Sequence, residues 1–193
     1  MFQRIRHLGA AALLLAFAST ANAELKIGVS LSLTGPLSSL GLPQKASLAL
    51  WPERIAGESV KLIVFDDASD TTGAVKNARR FVSQERVDVI LGSSGVPGVF
   101  AIAPVALEAR TVQLALAPAP RPGGANDWTF PLAQPVPLMS HAVAALMVSD
   151  KVRKVAFLGW SEGYGEMWLQ AFTASARKAG LEIVATERFA PVD

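Results

Sequence analysis

Cysteine is missing from all 193 residues, tyrosine occurs once, histidine twice, and aromatic residues make up only 7% of the chain. Without thiols there is no disulfide framework, no Cys-ligated zinc, no thiolate nucleophile and no iron–sulfur centre. Charge is sparse at 18%, and no basic run is longer than Arg79-Arg80. A nucleic-acid surface needs Lys and Arg gathered on one face, so DNA and RNA are not expected partners. What is abundant is apolar: 51% hydrophobic residues, broken into segments by 15 Gly and 12 Pro. That is too apolar for a disordered chain, and the length suits one domain or two small ones.

Residues 1–23 read as a secretory signal peptide. Arg4 and Arg6 precede an uncharged run, residues 8–18, and the small residues Ala21 and Ala23 follow. A cationic start, a short apolar stretch and a small-residue cleavage site are the three parts of an export signal, with cleavage predicted after Ala23. The run is too short for a membrane anchor, which takes roughly 20 apolar residues. Removing Arg4 and Arg6 leaves 16 basic against 16 acidic residues, a neutral exported chain.

From residue 24 onward apolar β-rich runs alternate with helical ones. Strands are predicted at 25–33, 60–65, 87–91 and 112–116, with helices at 44–55, 71–84 and 98–109. Pro52 must kink or end the first helix, and Asp70 is a good N-cap for the second. Residues 117–124 are too rich in Pro and Gly to continue either element. Order restarts at Trp128, followed by a helix at 136–149, a strand at 154–160, a helix at 163–179 ended by Gly180, and a strand at 181–189. This rhythm predicts an α/β fold, a doubly wound parallel sheet, with ligands beyond the carboxyl ends of the strands. The loops 34–41, 66–70, 92–97 and 117–127 then share one rim. Two or three strands close a core poorly. Residues 24–149 are therefore expected to form a first α/β portion, and 150–193 the truncated start of a second.

The loop from Gly92 to Gly98 joins a buried strand to a helix N-terminus, where free N–H groups and the helix dipole favour a carboxylate or phosphate. It is not a Walker loop and lacks the G-x-G-x-x-G order; read locally it is also simply a Gly-rich turn. Tyr164, just inside the helix after strand 154–160, can present its ring at a cleft edge or pack plainly. Asp66, Asp67 and Asp70 could suggest acid–base work or a cation site, but a cap and two strand-end residues explain them better. A Ser-His-Asp hydrolase would have to use His141, which lies on a predicted helix, and no G-x-S-x-G elbow exists. No metal and no cofactor is expected.

In their order and spacing these residues resemble the type I periplasmic binding proteins of ABC transporters, the leucine/branched-chain amino acid (Leu/Ile/Val-binding) group. The likeness spans the exported chain. It rests on Lys26-Ile27-Gly28-Val29 before Thr34-Gly35-Pro36, on Phe65-Asp66-Asp67-Ala68-Ser69-Asp70 before Ala74-Val75-Lys76-Asn77-Ala78-Arg79, and on Val87-Asp88-Val89-Ile90-Leu91-Gly92. Ala103-Pro104-Val105-Ala106 and Lys154-Val155-Ala156-Phe157-Leu158 before Tyr164-Gly165-Glu166 complete it.

The resemblance implies two α/β lobes that close on a small ligand and present it to an ABC permease in the inner membrane. It implies a periplasmic protein without chemistry of its own, monomeric at full length and about twice this long. It also implies substrate-binding residues. Ser93, Ser94, Gly95 and Val96 fall where relatives hold the ligand's carboxylate with hydroxyls and backbone amides, although Gly95 and Val96 lack those hydroxyls. Ala119 and Arg121 fall in the second contact turn, where Arg121 replaces a hydroxyl and offers a bidentate guanidinium. Tyr164 matches the aromatic laid over the ligand. The expectation is an importer's binding component for a branched-chain or other amino acid or a small carboxylate. A sensor of the same fold, a non-functional remnant and a small exported hydrolase are the alternatives.

Overall fold

The computed structural model describes residues 24–119 and 127–190. The predicted signal peptide and Arg121 lie outside the described residues. Strand β1 (Glu24–Leu31) is followed by helix α1 (Ser38–Ser47), a 3-10 turn (Leu48–Leu50), the short β2 (Arg54–Ile55) and β3 (Glu58–Asp66). Helix α2 (Thr71–Arg80) widens into a π turn (Phe81–Glu85) and leads to β4 (Val89–Gly92), α3 (Val96–Ala109), β5 (Val112–Ala115) and β6 (Thr129–Pro131). Then come α4 (Val136–Ser149), β7 (Lys154–Trp160), α5 (Gly163–Ala179) and β8 (Glu182–Phe189).

Six strands form one sheet in the order β2-β3-β1-β4-β5-β6, and β7 and β8 form a second. All pairings are parallel except that of the edge strand β2 with β3. The chain is thus an α/β parallel-sheet protein, with the sequence reversing direction across the sheet between β1 and β4.

Each face of the large sheet has its own core. Ile27, Val29 and Leu31, alternate residues of β1, pack with Leu91, Leu48 and Trp51 on one side. On the other, Ala74, Ala78 and Phe81 meet Ile90, Ile102 and Val105. Phe81 stacks on Phe65 with centroids 4.9 Å apart. A Cβ at Gly28 would stand 2.6 Å from the Phe81 ring, so this position of β1 admits the ring only as glycine. The second sheet has a separate core of Ala144, Val155, Phe172, Ala176 and Leu181, which draws α4 onto α5. Ser140 and Ser175 link these two helices through hydroxyls 3.0 Å apart.

The helix expected at 44–55 is displaced: α1 occupies Ser38–Ser47 with Pro43 inside it, and Arg54–Ile55 pairs antiparallel with β3 instead. The early start follows from Gly41, whose missing side chain lets the helix rest directly on the Ser32 carbonyl. α3 likewise begins at Val96 rather than 98, because Pro97 suits the first helical turn. The elements expected at 136–149, 154–160 and 163–179 form with those bounds.

Candidate functional site

β1 and β4 lie side by side and send their chains to α1 and α3, helices packed against different faces of the sheet. The gap opened there is the topological switch point at which α/β sheets bind ligands. A cavity of about 500 Å³ occupies it. Its walls come from Pro36, Leu37, Leu40 and Gln44 after β1, Ser69 after β3, Ser94 to Pro97 after β4, and Leu116 to Pro118 after β5. Trp160, Glu162 and Tyr164 close it from the second sheet's side. Four loops of the first sheet therefore do share a rim, and the second unit faces it.

The loop after β4 is held from below. Gly92 has φ +132°, and a Cβ there would come within 2.1 Å of the Ser30 carbonyl. The fully buried Gln113 donates its amide to the carbonyls of Gly92 (3.0 Å) and Val99 (3.2 Å) and accepts from Thr129 (2.9 Å). Beneath the loop Asp67, 2% exposed, gathers hydroxyl protons: from Ser93 at 2.6 Å, Ser32 at 2.7 Å and Ser30 at 3.3 Å, with the Ser69 N–H at 3.0 Å. Asn77 completes the cluster by donating to Ser30 Oγ and the Asp66 carbonyl.

Asp66 fastens the neighbouring turn. Its carboxylate accepts from Thr34 Oγ1 (2.7 Å) and from the N–H groups of Leu33 and Ala68 (both 2.8 Å) and Thr34 (3.3 Å). Burial works against the charge, but these hydrogen bonds outweigh it and hold the pKa below the usual carboxylate value. Asp70 caps α2 by accepting from the Gly73 N–H at 2.9 Å. The three aspartates thus serve the loops and α2, with none lining the cavity.

The residues singled out in the sequence separate in space. Ser94, Gly95, Val96 and Tyr164 line the cavity. Ser93 does not: its hydroxyl is turned inward to Asp67. Ala119 is buried with Val96, Val99, Ala115 and Ala117 in a cluster on which Tyr164 packs. Ser94 also spends its proton on protein, donating to Gln44 Oε1 at 2.6 Å while accepting the Ser32 N–H at 3.0 Å. His141 is an exposed residue of α4, away from the cavity.

Leu37, Leu40, Gln44, Ser69, Trp160 and Glu162 are cavity residues that sequence reasoning missed. The signal was present in their positions: Trp160 ends β7, Glu162 and Ser69 lie in the loops after β7 and β3, and Leu37, Leu40 and Gln44 lie in the segment that follows β1 into α1. Glu162 caps α5 by accepting the Tyr164 N–H at 3.1 Å, and its other oxygen, Oε1, is buried without a partner among the described residues.

The first turn of α3 carries no side-chain cap, which is also true of α1 and α4, and it lies in the cavity wall. Gly95 stands at its N-cap in extended conformation without any side-chain cap, whereas α2 and α5 are capped by Asp70 and Glu162. Uncapped N–H groups and the positive helix end at a cavity wall suit an anionic group. Around it the wall is mainly apolar, so the cavity suits a small molecule with an anionic end and an apolar body. Among the described residues, no group of three or more acidic or histidine side chains is placed to hold a metal ion.

A doubly wound sheet with a mostly apolar cavity at its switch point, covered by aromatic residues of a second α/β unit, defines a class of two-sided ligand-binding proteins. The chain belongs to the periplasmic binding protein family, which matches residues 24–193. It is 37% identical to an extracellular ligand-binding receptor from Rhodopseudomonas palustris HaA2, with a TM-score of 0.84 over 89% of this chain and 48% of that one. A leucine-binding protein from Thermotoga maritima MSB8 has the same fold at 23% identity and TM-score 0.76, over 88% and 50% of the two chains. So has an ABC-transporter solute-binding protein from R. palustris solved with benzoate, at 20% identity and TM-score 0.76, over 89% and 49%. The chain spans about half the length of these solved proteins. No curated protein matches it.

Proposed function

We propose that this chain carries the ligand-gripping part of an exported solute receptor that feeds an ABC importer. It binds a small carboxylate or an amino acid between its two α/β units, residues 24–149 and 150–193, and does not transform it. The observation that carries this reading is the uncapped start of α3 in the wall of a mainly apolar cavity, faced by Trp160 and Tyr164. The carboxylate sits on the Gly95, Val96 and Gly98 amides, and the apolar body lies against Leu37, Leu40, Leu116 and Tyr164. Arg121 lies outside the described residues and is assigned to the site by family resemblance alone.

Export follows from the signal peptide, removed after Ala23, and places the receptor in the periplasm. There the ligand-closed form docks on a permease of the inner membrane. Lobe closure supplies the signal, because a ligand shifts the open–closed balance only by binding the closed form better.

Two ligand chemistries are supported. The apolar wall favours a compact carboxylate such as benzoate, the ligand of one structural neighbour. Glu162 Oε1, without a partner among the described residues, favours a ligand that also carries an ammonium or hydroxyl donor, as an amino acid does. Thermal unfolding of the exported chain with benzoate and with leucine tests the reading. A ligand that binds only the native state at 100 times its Kd raises stability by about 2.7 kcal/mol. A melting temperature that moves with neither compound nor with any other small carboxylate overturns it.

A further inference from the structure

The serine hydroxyls around the cavity have already committed their protons. Ser69 donates to the Thr34 carbonyl at 2.7 Å, Ser93 to Asp67, and Ser94 to Gln44. A hydroxyl has a single proton to give. Because Ser94 Oγ accepts the Ser32 N–H, its proton needs an acceptor elsewhere, and Gln44 Oε1 at 2.6 Å supplies one. That requirement fixes the Gln44 amide: its carbonyl end faces Ser94 and its Nε2 end faces away. Nε2 has no partner among the described residues, and it is not sealed from solvent. Gln44 itself lines the cavity.

We propose that Gln44 Nε2 is a specificity-determining donor of this site, and that Ser94 is the positioning residue that decides which end of the amide the ligand meets. The chain Ser32 N–H to Ser94 Oγ to Gln44 Oε1 orients the amide from the backbone of the β1 exit, so its direction is set before ligand arrives. An amide nitrogen donates and cannot accept. The position therefore selects an oxygen acceptor, one carboxylate oxygen of the ligand, while the α3 amides take the other. This rests on the reading of the cavity as a carboxylate site.

Two substitutions separate the donor from its surroundings. Gln44→Met keeps length and neutrality and removes the donor together with the acceptor for Ser94. Gln44→Glu still accepts from Ser94 but turns an acceptor toward the ligand. The probes are benzoate with its neutral counterpart benzamide, and leucine with leucinamide, titrated calorimetrically into wild type and both variants of the exported chain. Loss of a hydrogen bond to a charged group predicts that Gln44→Met weakens the bound carboxylate about tenfold or more. It should cost the amide counterpart much less. Gln44→Glu is expected to reverse the preference, because a carboxamide N–H₂ can donate where the carboxylate is repelled. The unliganded melting temperature should stay near wild type for Gln44→Glu, which keeps the acceptor for Ser94, and fall modestly for Gln44→Met, which leaves the buried Ser94 hydroxyl without it.

Carboxylate affinity of Gln44→Met within twofold of wild type, or an unchanged carboxylate-to-amide ratio in Gln44→Glu, overturns the role of Gln44 and leaves the cavity's function standing. A wild-type chain that binds neither benzoate nor leucine overturns the carboxylate site and this role with it.

Discussion

Ser93 Oγ lies 2.6 Å from Asp67 Oδ2, and both side chains are shut away from solvent. The serine that a family comparison would turn toward ligand is instead a strut, tying the first residue after β4 to the first residue after β3. Asp67 holds Ser30, in β1, and Ser32, just after it, in the same grip. One carboxylate thereby joins the exits of three neighbouring strands, and these exits carry most of the cavity's wall.

Replacing Asp67 tests that arrangement. Asp67→Ala leaves the hydroxyls of Ser30, Ser32 and Ser93 in a buried space without their common acceptor. Each orphaned buried group costs on the order of 1–3 kcal/mol. Chemical denaturation should show a loss of about 3 kcal/mol or more, against about 1 kcal/mol for Ser93→Ala, which removes a single donor. Equal losses for the two would mean that Asp67 is not the hub.

Tyr164 bears on binding through packing. Its ring rests on the Val96, Val99 and Ala117 cluster, edge-on to Trp168 at 6.4 Å, and closes the cavity from the second unit. Tyr164→Ala should weaken benzoate binding by about tenfold or more, as expected for a truncated aromatic anchor. Tyr164→Phe should retain most of the affinity. Quenching of Trp160, which also lines the cavity, provides the fluorescence readout.

Acid stability should carry the mark of Asp66. Its pKa is depressed in the folded chain, so its stabilising effect is present above the ordinary carboxylate value of about 4 and is lost as pH falls through the lower folded value. Wild type should lose stability more steeply than Asp66→Asn on the acid side of that value. Parallel curves from pH 7 down to the acid transition would show that the Thr34 turn does not depend on the charge.

The alternation of strands and helices was legible because these strands are short, apolar and separated by clear breakers. The helices at 136–149 and 163–179 carry strong signals, Pro137 within the first turn of one and Gly180 after the other. α1 was not legible: Pro43 and Gly41 are residues that disfavour a helix interior, and only the approach of Gly41 to the Ser32 carbonyl shows why a glycine belongs inside that helix. The π turn at Phe81–Glu85 has no local signature, since it serves to seat Phe81 between Gly28 and Phe65. In the site, the rim of loops could be read from strand ends alone. Which serine faces inward could not, because the direction of Ser93 and Ser94 depends on Asp67 and Gln44, residues distant in sequence.

The central claim, a carboxylate held at the start of α3 beneath Tyr164, is tested most directly by an amide NMR titration of the exported chain with benzoate and with leucine. The account predicts saturable shifts concentrated at Gly95, Val96, Gly98 and Tyr164, with the Gln44 side-chain N–H₂ moving in step. Shifts scattered over the surface, or none at millimolar ligand, would contradict it.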